Sequence, residues 1–339
     1  CSSDLGFGQT LYLPWPGDSL PDYGSAAPRM ELDDAIRKVA LDDGVTALQG
    51  LRGVSVRRDQ ARVSAVTFLD AEKREHSISC RRLVVADGAR SHVGRMLGRE
   101  WHRQTAYGVA ARAYTSSSRS EDPWISSHLE LRGADGDLLS GYGWIFPLGE
   151  SDVNIGVGTL ATDRHPADIN LRRLLDFYAS QQSEEWELSG GLRAPWSALL
   201  PMGGAVSNVA GPNWLLVGDA AGCVNPLNGE GIDYGLETGH MAALLMAEGN
   251  GDLTSRWPNI LRQRYGSAFS IARRLAGLLT IPGFLKTFGP MGMRSQALMT
   301  VALRIMGNLV TDEDADTVAR LWRTAGRMSL RFDDRPPFS

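Results

Sequence analysis

No run of uncharged apolar residues in the 339-residue sequence approaches the roughly 20 that a membrane-spanning helix needs, and the nearest stretch, 275–285, is interrupted by Pro282. Cysteine is scarce. Cys1, Cys80 and Cys223 lie far apart, which excludes a disulfide framework and any cysteine-based metal spacing, so no metal site is expected and a reducing cytoplasm suits the chain. No signal-peptide pattern opens the sequence and no internal repeat runs through it. Lysine is rare beside arginine, which reads as genome composition, and with no nucleic-acid motif no nucleic-acid partner is expected. Also lacking is a GxGxxG turn opening a helix: neither GFGQT at 6–10 nor GYGW at 141–144 has the third glycine or the helix after it. Since the chain starts at Cys1 rather than methionine, it is expected to lack an N-terminal segment, leaving half of a dinucleotide site.

What is present fits a folded enzyme. A hydrophobic content of 43% with 22% charged residues is ordinary for a globular protein, and the length favours two domains over one core. Residues 214–240, WLLVGDAAGCVNPLNGEGIDYGLETGH, carry most of the information. Trp214, Leu215, Leu216 and Val217 form a short apolar run, the pattern of a strand covered on both faces, and it stops at Gly218-Asp219. An acid there accepts hydrogen bonds from the hydroxyls of a bound sugar alcohol. The glycine before it lets backbone and ligand approach closely, as Gly229 and Gly231 do around Glu230. Helical spacing follows, with Ile232, Leu236, Ala243 and Leu244 on related faces and Gly239 expected to allow close packing. The N-terminus of that helix offers unpaired N–H groups and a positive dipole end, which suits the negative charge of a reduced flavin. An ordinary strand-turn-helix with small packing residues is less favoured, because GD followed by PxxGEGI is long and constrained.

Two further blocks point the same way. In 80–98, CRRLVVADGARSHVGRMLG, the run Leu83, Val84, Val85 reads as a strand ending at Asp87-Gly88 and turning into a helix capped by Ser91. In 141–147, GYGWIFP, followed by alternation through Val153, Ile155 and Val157, the pattern is a strand carrying aromatics. Arg29, in PRMELDDAI, opens a helix with Leu32, Ile36 and Val39 at helical spacing; Arg29 and Arg90 each stay open between a ligand contact and a surface charge. Residues 170–182 read as a helix with Leu171, Leu174, Leu175 and Tyr178 on one side.

These blocks resemble those of FAD-dependent oxidoreductases built like aromatic hydroxylases and, more narrowly, the geranylgeranyl reductase family. The chain is most similar to actinobacterial members that saturate an isoprene unit of the menaquinone side chain, over most of its length. The resemblance implies an α/β fold with an antiparallel sheet and FAD as cofactor. Residues 29–100 and 206–255 would form the discontinuous FAD-binding domain, 101–205 the antiparallel-sheet substrate domain with strands from 1–28, and 256–339 a helical C-terminal region. The missing GxGxxG belongs to the segment that in this family holds the dinucleotide fold. By the same resemblance, Gly218, Asp219, Pro226, Gly229, Glu230, Gly231 and Ile232 contact the flavin, Asp87 and Gly88 lie beside the FAD pyrophosphate, and Arg29 contacts the ribityl-phosphate region. Tyr142, Trp144, Phe146 and Pro147 match the family's YxWxFP motif, whose aromatics line the prenyl cavity.

Chemistry gives the aromatics a role beyond burial. An isoprene double bond is not polarised, so protonation first, giving a tertiary carbocation, precedes hydride delivery, and the faces of Tyr142 and Trp144 are placed to stabilise the transient charge. For the proton donor, the Tyr142 hydroxyl and an ordered water both stay open. Cys223 reads as a small buried filler, with no neighbour to lower its pKa. Two other functions are carried: a flavin hydroxylase or halogenase, although halogenases show WxWxIP here, and a non-catalytic lipid-binding fragment.

Charge is uneven. From Arg256 onward there are 13 Lys and Arg against 6 Asp and Glu, a net of +7, so the first 255 residues carry −11 of the total −4. Peripheral contact with anionic lipid on the inner face of the cell membrane is the sharper expectation; helices packed on the flavin domain with arginines in solvent is the other. The partners expected are a prenylated lipid substrate and an electron donor that no second nucleotide motif identifies.

Overall fold

A seven-stranded mixed sheet organises the first of two compact units, formed by 1–46, 108–198 and 277–319. The computed structural model describes residues 2–15, 21, 23–249, 251–281 and 283–339, with side chains from residue 5 onward; Cys1, the start of the proline-rich turn after Trp15, and Pro282 lie outside the described residues. The sheet runs in the order β12 (Leu188–Leu200), β8 (Tyr107–Ser117), β11 (Asp152–Ala161), β10 (Gly141–Gly149), β9 (Ile125–His128), β1 (Ser2–Gly6), β2 (Gln9–Leu13). Alternation decides its faces. On one face Ala111, Ala113, Ile145, Val153, Ile155 and Val157 are buried against α3 (Leu171–Gln182). That helix buries Leu174, Leu175 and Tyr178, the periodicity the sequence shows, and its N-cap Asn170 side chain accepts from Arg173 N–H. On the other face, α6 (Phe284–Met293) and α7 (Gln296–Met306) pack Met293 and Met299 around Leu13, with Leu11 and Leu129 beside them. Gly289 is what lets Phe7 in, since a Cβ there would come within 2.5 Å of its ring. α1 (Arg29–Asp42) forms as its spacing predicts but buries none of its residues against the described chain.

The second unit comprises 47–107, 199–276 and 320–339. Its strands are β3 (Arg52–Asp59), β4 (Arg62–Leu69) and β5 (Glu75–Ser79) in one antiparallel sheet, the pair β7 (Glu100–Trp101) and β13 (Val206–Ser207), and the sheet β14 (Ala210–Gly211), β15 (Trp214–Leu216), β6 (Leu83–Val85), where β15 and β6 run parallel. Its helices are α2 (His92–Met96), α4 (Ile232–Ala247), most of α5 (Arg256–Leu279) and most of α8 (Thr317–Arg331). β15 is buried throughout, as its apolar run predicts. Trp257 of α5, fully buried, donates its indole N–H to Leu216 O at 2.8 Å and so ties α5 to that strand. Residues 256–339 are thus divided between the two units: α6 and α7 group with the seven-stranded sheet, α5 and α8 mostly with the second core.

Asn213 joins three segments of the second unit that are distant in sequence. Its side-chain oxygen accepts from Val63 N–H at 2.8 Å, and its amide donates to Val63 O at 2.8 Å and Arg81 O at 2.9 Å. Replacing it leaves buried backbone groups unpaired at about 1–3 kcal/mol for each uncompensated group. Asn213→Ala is therefore expected to lower the unfolding free energy by about 3 kcal/mol, read from denaturant midpoints at unchanged m-value; a loss under about 1 kcal/mol would contradict this account.

Candidate functional site

In the second unit the two flavin-type blocks, 80–98 and 214–240, meet where β6 and β15 run side by side. β15 delivers the chain to a 3-10 turn, Gly218–Ala221, which needs glycine at its start because Gly218 has φ +54°. Gly218 N–H donates to Thr238 Oγ1 at 2.9 Å, and the Thr238 hydroxyl donates back to Tyr234 O at 2.6 Å, clamping turn to helix. Gly231 lies so close to Asp219 that a Cβ would sit 2.8 Å from Oδ1. Asn225 closes the PLNGEG loop: its N–H donates to Glu230 O and its side chain accepts from Leu227 N–H, both at 2.8 Å. α4 follows, with Gly231 at its N-cap and so no N-cap side chain at this helix end. Gly235 and Gly239 face open space. The N-terminus of a 16-residue helix, reached through a glycine-rim backbone with no N-cap side chain in the way, fits the anionic edge of a flavin ring, so this part of the chain suits FAD.

Three expectations need correction. The face of α4 that is buried is Tyr234, Thr238, Ala242 and Leu245, whereas Ile232, Leu236 and Leu244 are exposed and Gly239 packs against nothing within 4 Å. The reason is the Thr238 bridge and the ring packing of Tyr234 on Tyr265 and Phe269, at 5.3 Å each. Ser91 does not cap α2 with its side chain. It sits at φ +35° and donates to Asp87 Oδ1 at 2.6 Å, while Asp87 Oδ2 accepts Val93 N–H at 2.8 Å and does the capping. Asp87 is otherwise exposed, and Gly88, at φ +73°, has open space where a Cβ would point, so the turn presents backbone to solvent. Pro147 alternates onto the α3 face with Ile145 and pairs with Val153, away from the aromatic side chains it was grouped with.

Arg99 was not foreseen. It is 7% exposed, and its Nε donates to Ala220 O at 2.6 Å while Nη2 lies 3.5 Å from Asp219 O, so it props the Asp219 turn from beneath. Burial lowers its guanidinium to about 10, so it stays charged near neutrality. No local pattern marks it, because its partners lie more than 100 residues on. Burial drives the Cys223 thiol well up, which fits an inert filler.

In the first unit, Tyr142, Trp144 and Phe146 form a ladder on the sheet face opposite α3, with ring centroids 5.7 and 6.2 Å apart. The Trp144 indole lies flat over Gly156, where a Cβ would fall 2.1 Å from the ring, and its N–H donates to Asn154 Oδ1 at 2.9 Å. Arg29, at the start of α1, donates its backbone N–H to the Tyr114 hydroxyl and holds Asp33 in an exposed ion pair. Among the described residues no cluster of His, Cys, Asp and Glu could hold a metal ion.

Glu230 is the titrating group of the glycine loop. Its carboxyl is pushed up from 4.5 to about 7, by the protein packed around it first and Asp233 second, although its rim reaches solvent. The folded chain therefore holds this proton more tightly than the unfolded one. The stability it contributes is full below about pH 4.5 and is lost as pH rises through about 7. Thermal unfolding across that window is expected to show this decline, and Glu230→Gln to flatten it; an identical slope in the variant would refute the assignment.

A profile described as an FAD binding domain matches residues 17–149. The menaquinone reductase of Mycolicibacterium smegmatis is 60% identical over 336 residues, 98% of this chain and 81% of that protein. The digeranylgeranylglycerophospholipid reductase 1 of Methanopyrus kandleri is 28% identical over 229 residues, 65% of this chain and 59% of that protein. Among solved structures, a geranylgeranyl bacteriochlorophyll reductase-like protein from Thermoplasma acidophilum shares the fold, with a TM-score of 0.70 at 16% identity over 96% of this chain and 82% of that one.

Proposed function

The chain belongs to the FAD-dependent geranylgeranyl reductase family, among its menaquinone reductases, and from that premise we propose that it saturates an isoprene double bond in the side chain of menaquinone. The observation that carries this is the Tyr142, Trp144, Phe146 ladder: an oily aromatic platform held rigid by Gly156 beneath it and Asn154 beside it. When bound, reduced FAD supplies the hydride. Gly218, Asp219, Pro226, Gly229, Glu230, Gly231 and Ile232 are read as the residues that hold its ring, Asp87 and Gly88 those beside its pyrophosphate, and Arg29 the contact to its ribityl phosphate. The π electrons of the isoprene double bond take a proton first, from the Tyr142 hydroxyl or an ordered water, leaving a tertiary cation on the prenyl chain. The π-faces of Tyr142 and Trp144 lower the energy of that cation, and a prenyl chain lying on the half-buried platform would displace the water that could trap it as an alcohol.

Under anaerobic conditions with a chemical reductant of the flavin, the holoenzyme is expected to add one pair of hydrogens to menaquinone, seen by mass; a product that requires oxygen would point to hydroxylase chemistry instead. Trp144→Leu is expected to lower kcat by about 30-fold, the worth of a desolvated cation–π contact, with Trp144→Phe retaining more. Equal kcat in all three proteins would remove the cation-stabilising role.

The membrane contact of this reading falls on α6 and α7. Residues 256–310 contain no Asp or Glu. Within them α6, α7 and the turn before them expose Ile281, Phe288, Met291 and Leu298 next to exposed Lys286 and Arg294. Among the described residues no single helix is long and apolar enough to cross a membrane, so docking on the anionic inner face as a peripheral protein is the arrangement this surface suits. The inner side of the same hairpin packs on β2, and the strand register puts Leu11 on the face that carries Trp144. A prenyl chain leaving the bilayer there would already be on the aromatic side of the sheet. Lys286→Gln with Arg294→Gln is expected to weaken binding to anionic vesicles roughly 30-fold, at about 1 kcal/mol for each cation, in a sedimentation assay; unchanged binding would move the surface elsewhere.

A further inference from the structure

β8 places a single cation on the aromatic face. Along that strand Ala111, Ala113 and Thr115 point into the α3 core, so Ala110, Arg112, Tyr114 and Ser116 point to the side of the ladder. Its register against β11 follows from both ends. Ser117 N–H donates to Ser151 O, Ser116 Oγ reaches Asp152 Oδ1 at 3.3 Å, and Ala110 lies beside Gly158. Arg112 therefore stands opposite Gly156, the glycine whose empty place holds the Trp144 indole. One row across the sheet reads guanidinium, bare backbone, indole.

The Arg112 guanidinium lies over the Tyr114 ring at 5.0 Å, and its Nη1 is buried with no hydrogen-bond partner. Two other cations near this end are paired: Arg193 with Asp152, and Arg29, whose backbone N–H reaches the Tyr114 hydroxyl, with Asp33. A desolvated N–H that the fold leaves unsatisfied on a binding face is a donor awaiting an acceptor. The acceptor has to be carried by something that also covers aromatic surface, which a prenylated quinone does: its fused ring stacks on Tyr and Trp faces and its carbonyl oxygens accept from N–H. One N–H from a guanidinium already seated on an aromatic ring suits one neutral carbonyl, whereas a phosphate head calls for a fork of donors or a second free cation.

We propose that Arg112 binds a ring carbonyl of the quinone head and is the residue by which this enzyme prefers a prenylated quinone to a prenyl chain without a ring. The proposal rests on the prenyl-reductase reading above and deepens it.

The test compares two substrates on the FAD-loaded enzyme under anaerobic conditions: menaquinone, and a prenyl hydrocarbon of the same number of units lacking the ring. The readout is the mass of the prenyl chain, so that direct reduction of the quinone ring is not counted. In Arg112→Met, which keeps bulk and removes the donors, the ratio of kcat/KM for menaquinone to that for the ringless chain is expected to fall roughly 10- to 100-fold, mostly through KM on menaquinone, as for loss of a hydrogen bond from a charged donor. Arg112→Lys should restore part of the ratio. Bound FAD per chain and its absorbance spectrum are read in each protein. An unchanged ratio overturns the proposal, and so does a loss of bound FAD with equal falls on both substrates, which would assign the guanidinium to the flavin. A wild-type enzyme that saturates neither chain overturns the reductase reading itself, and the proposal with it. A preference that falls while wild-type turnover of both chains stands supports it.

Discussion

Two glycines let aromatic rings lie flat against the seven-stranded sheet on both of its faces, and the first unit depends on that. A Cβ at Gly156 would meet the Trp144 ring at 2.1 Å, and one at Gly143 would meet Tyr178 at 2.4 Å. Neither ring has anywhere else to go: Trp144 is pinned by Asn154, and Tyr178 is wedged in the α3 core beside His128 at 5.5 Å. Burial drives the Tyr178 hydroxyl well up and the His128 imidazole down to about 4, so this core stays uncharged near neutrality. One hairpin, GYGWIFP followed by NIGVG, thus anchors the covering helix on one side and carries a half-buried aromatic platform on the other. The row that contains Arg112 exists only because the middle position is glycine.

Features written as local patterns were legible in the sequence. The short apolar run of β15, the alternation of β10 and β11, and the spacing of Leu174, Leu175 and Tyr178 on α3 each follow from a period of 2 or 3.6 residues, and the structure carries them as read. The glycine and aspartate turns were legible because few residues tolerate their backbone angles, Gly218 and Gly229 both having positive φ. What hydropathy misread was polarity placed inside. Thr238 is fully buried because its hydroxyl joins two backbone groups, so the inward face of α4 is marked by Thr and Tyr rather than by Ile232 and Leu236. Pro147 failed for a simpler reason: a motif lists residues in order, while a strand sends alternate ones to opposite sides.

Long-range polar contacts were invisible. Asn213 and Arg99 look like surface residues in sequence, yet each satisfies backbone carbonyls or amides on segments brought from more than 100 positions away. They hold the ends of β4 and the Asp219 turn by directed bonds where apolar packing alone would allow sliding. A buried donor or acceptor tolerates one geometry and a methyl group tolerates several. That is why the glycine loop, which has little side-chain bulk of its own, keeps its shape.

The basic C-terminal third shows why charge must be counted after folding. Of its cations, Arg273 is buried and paired with Asp333 at 2.7 Å, and Arg304 is paired with Asp314 and Asp316. Arg256 and Arg264 are matched by Glu248 and Glu237, acids from the region that looked separately acidic. Four of its cations are thus matched within the fold, and the exposed ones lie beside exposed apolar side chains in two places: on α6, where Phe288 and Met291 lie in sequence between Lys286 and Arg294, and along α8 to its end, where Leu321, Met328 and Phe332 lie among Arg320, Arg327 and Arg331. An enzyme whose substrate is insoluble in water gains most from cations exactly where its apolar surface is also exposed, since either feature alone gives weak and reversible binding.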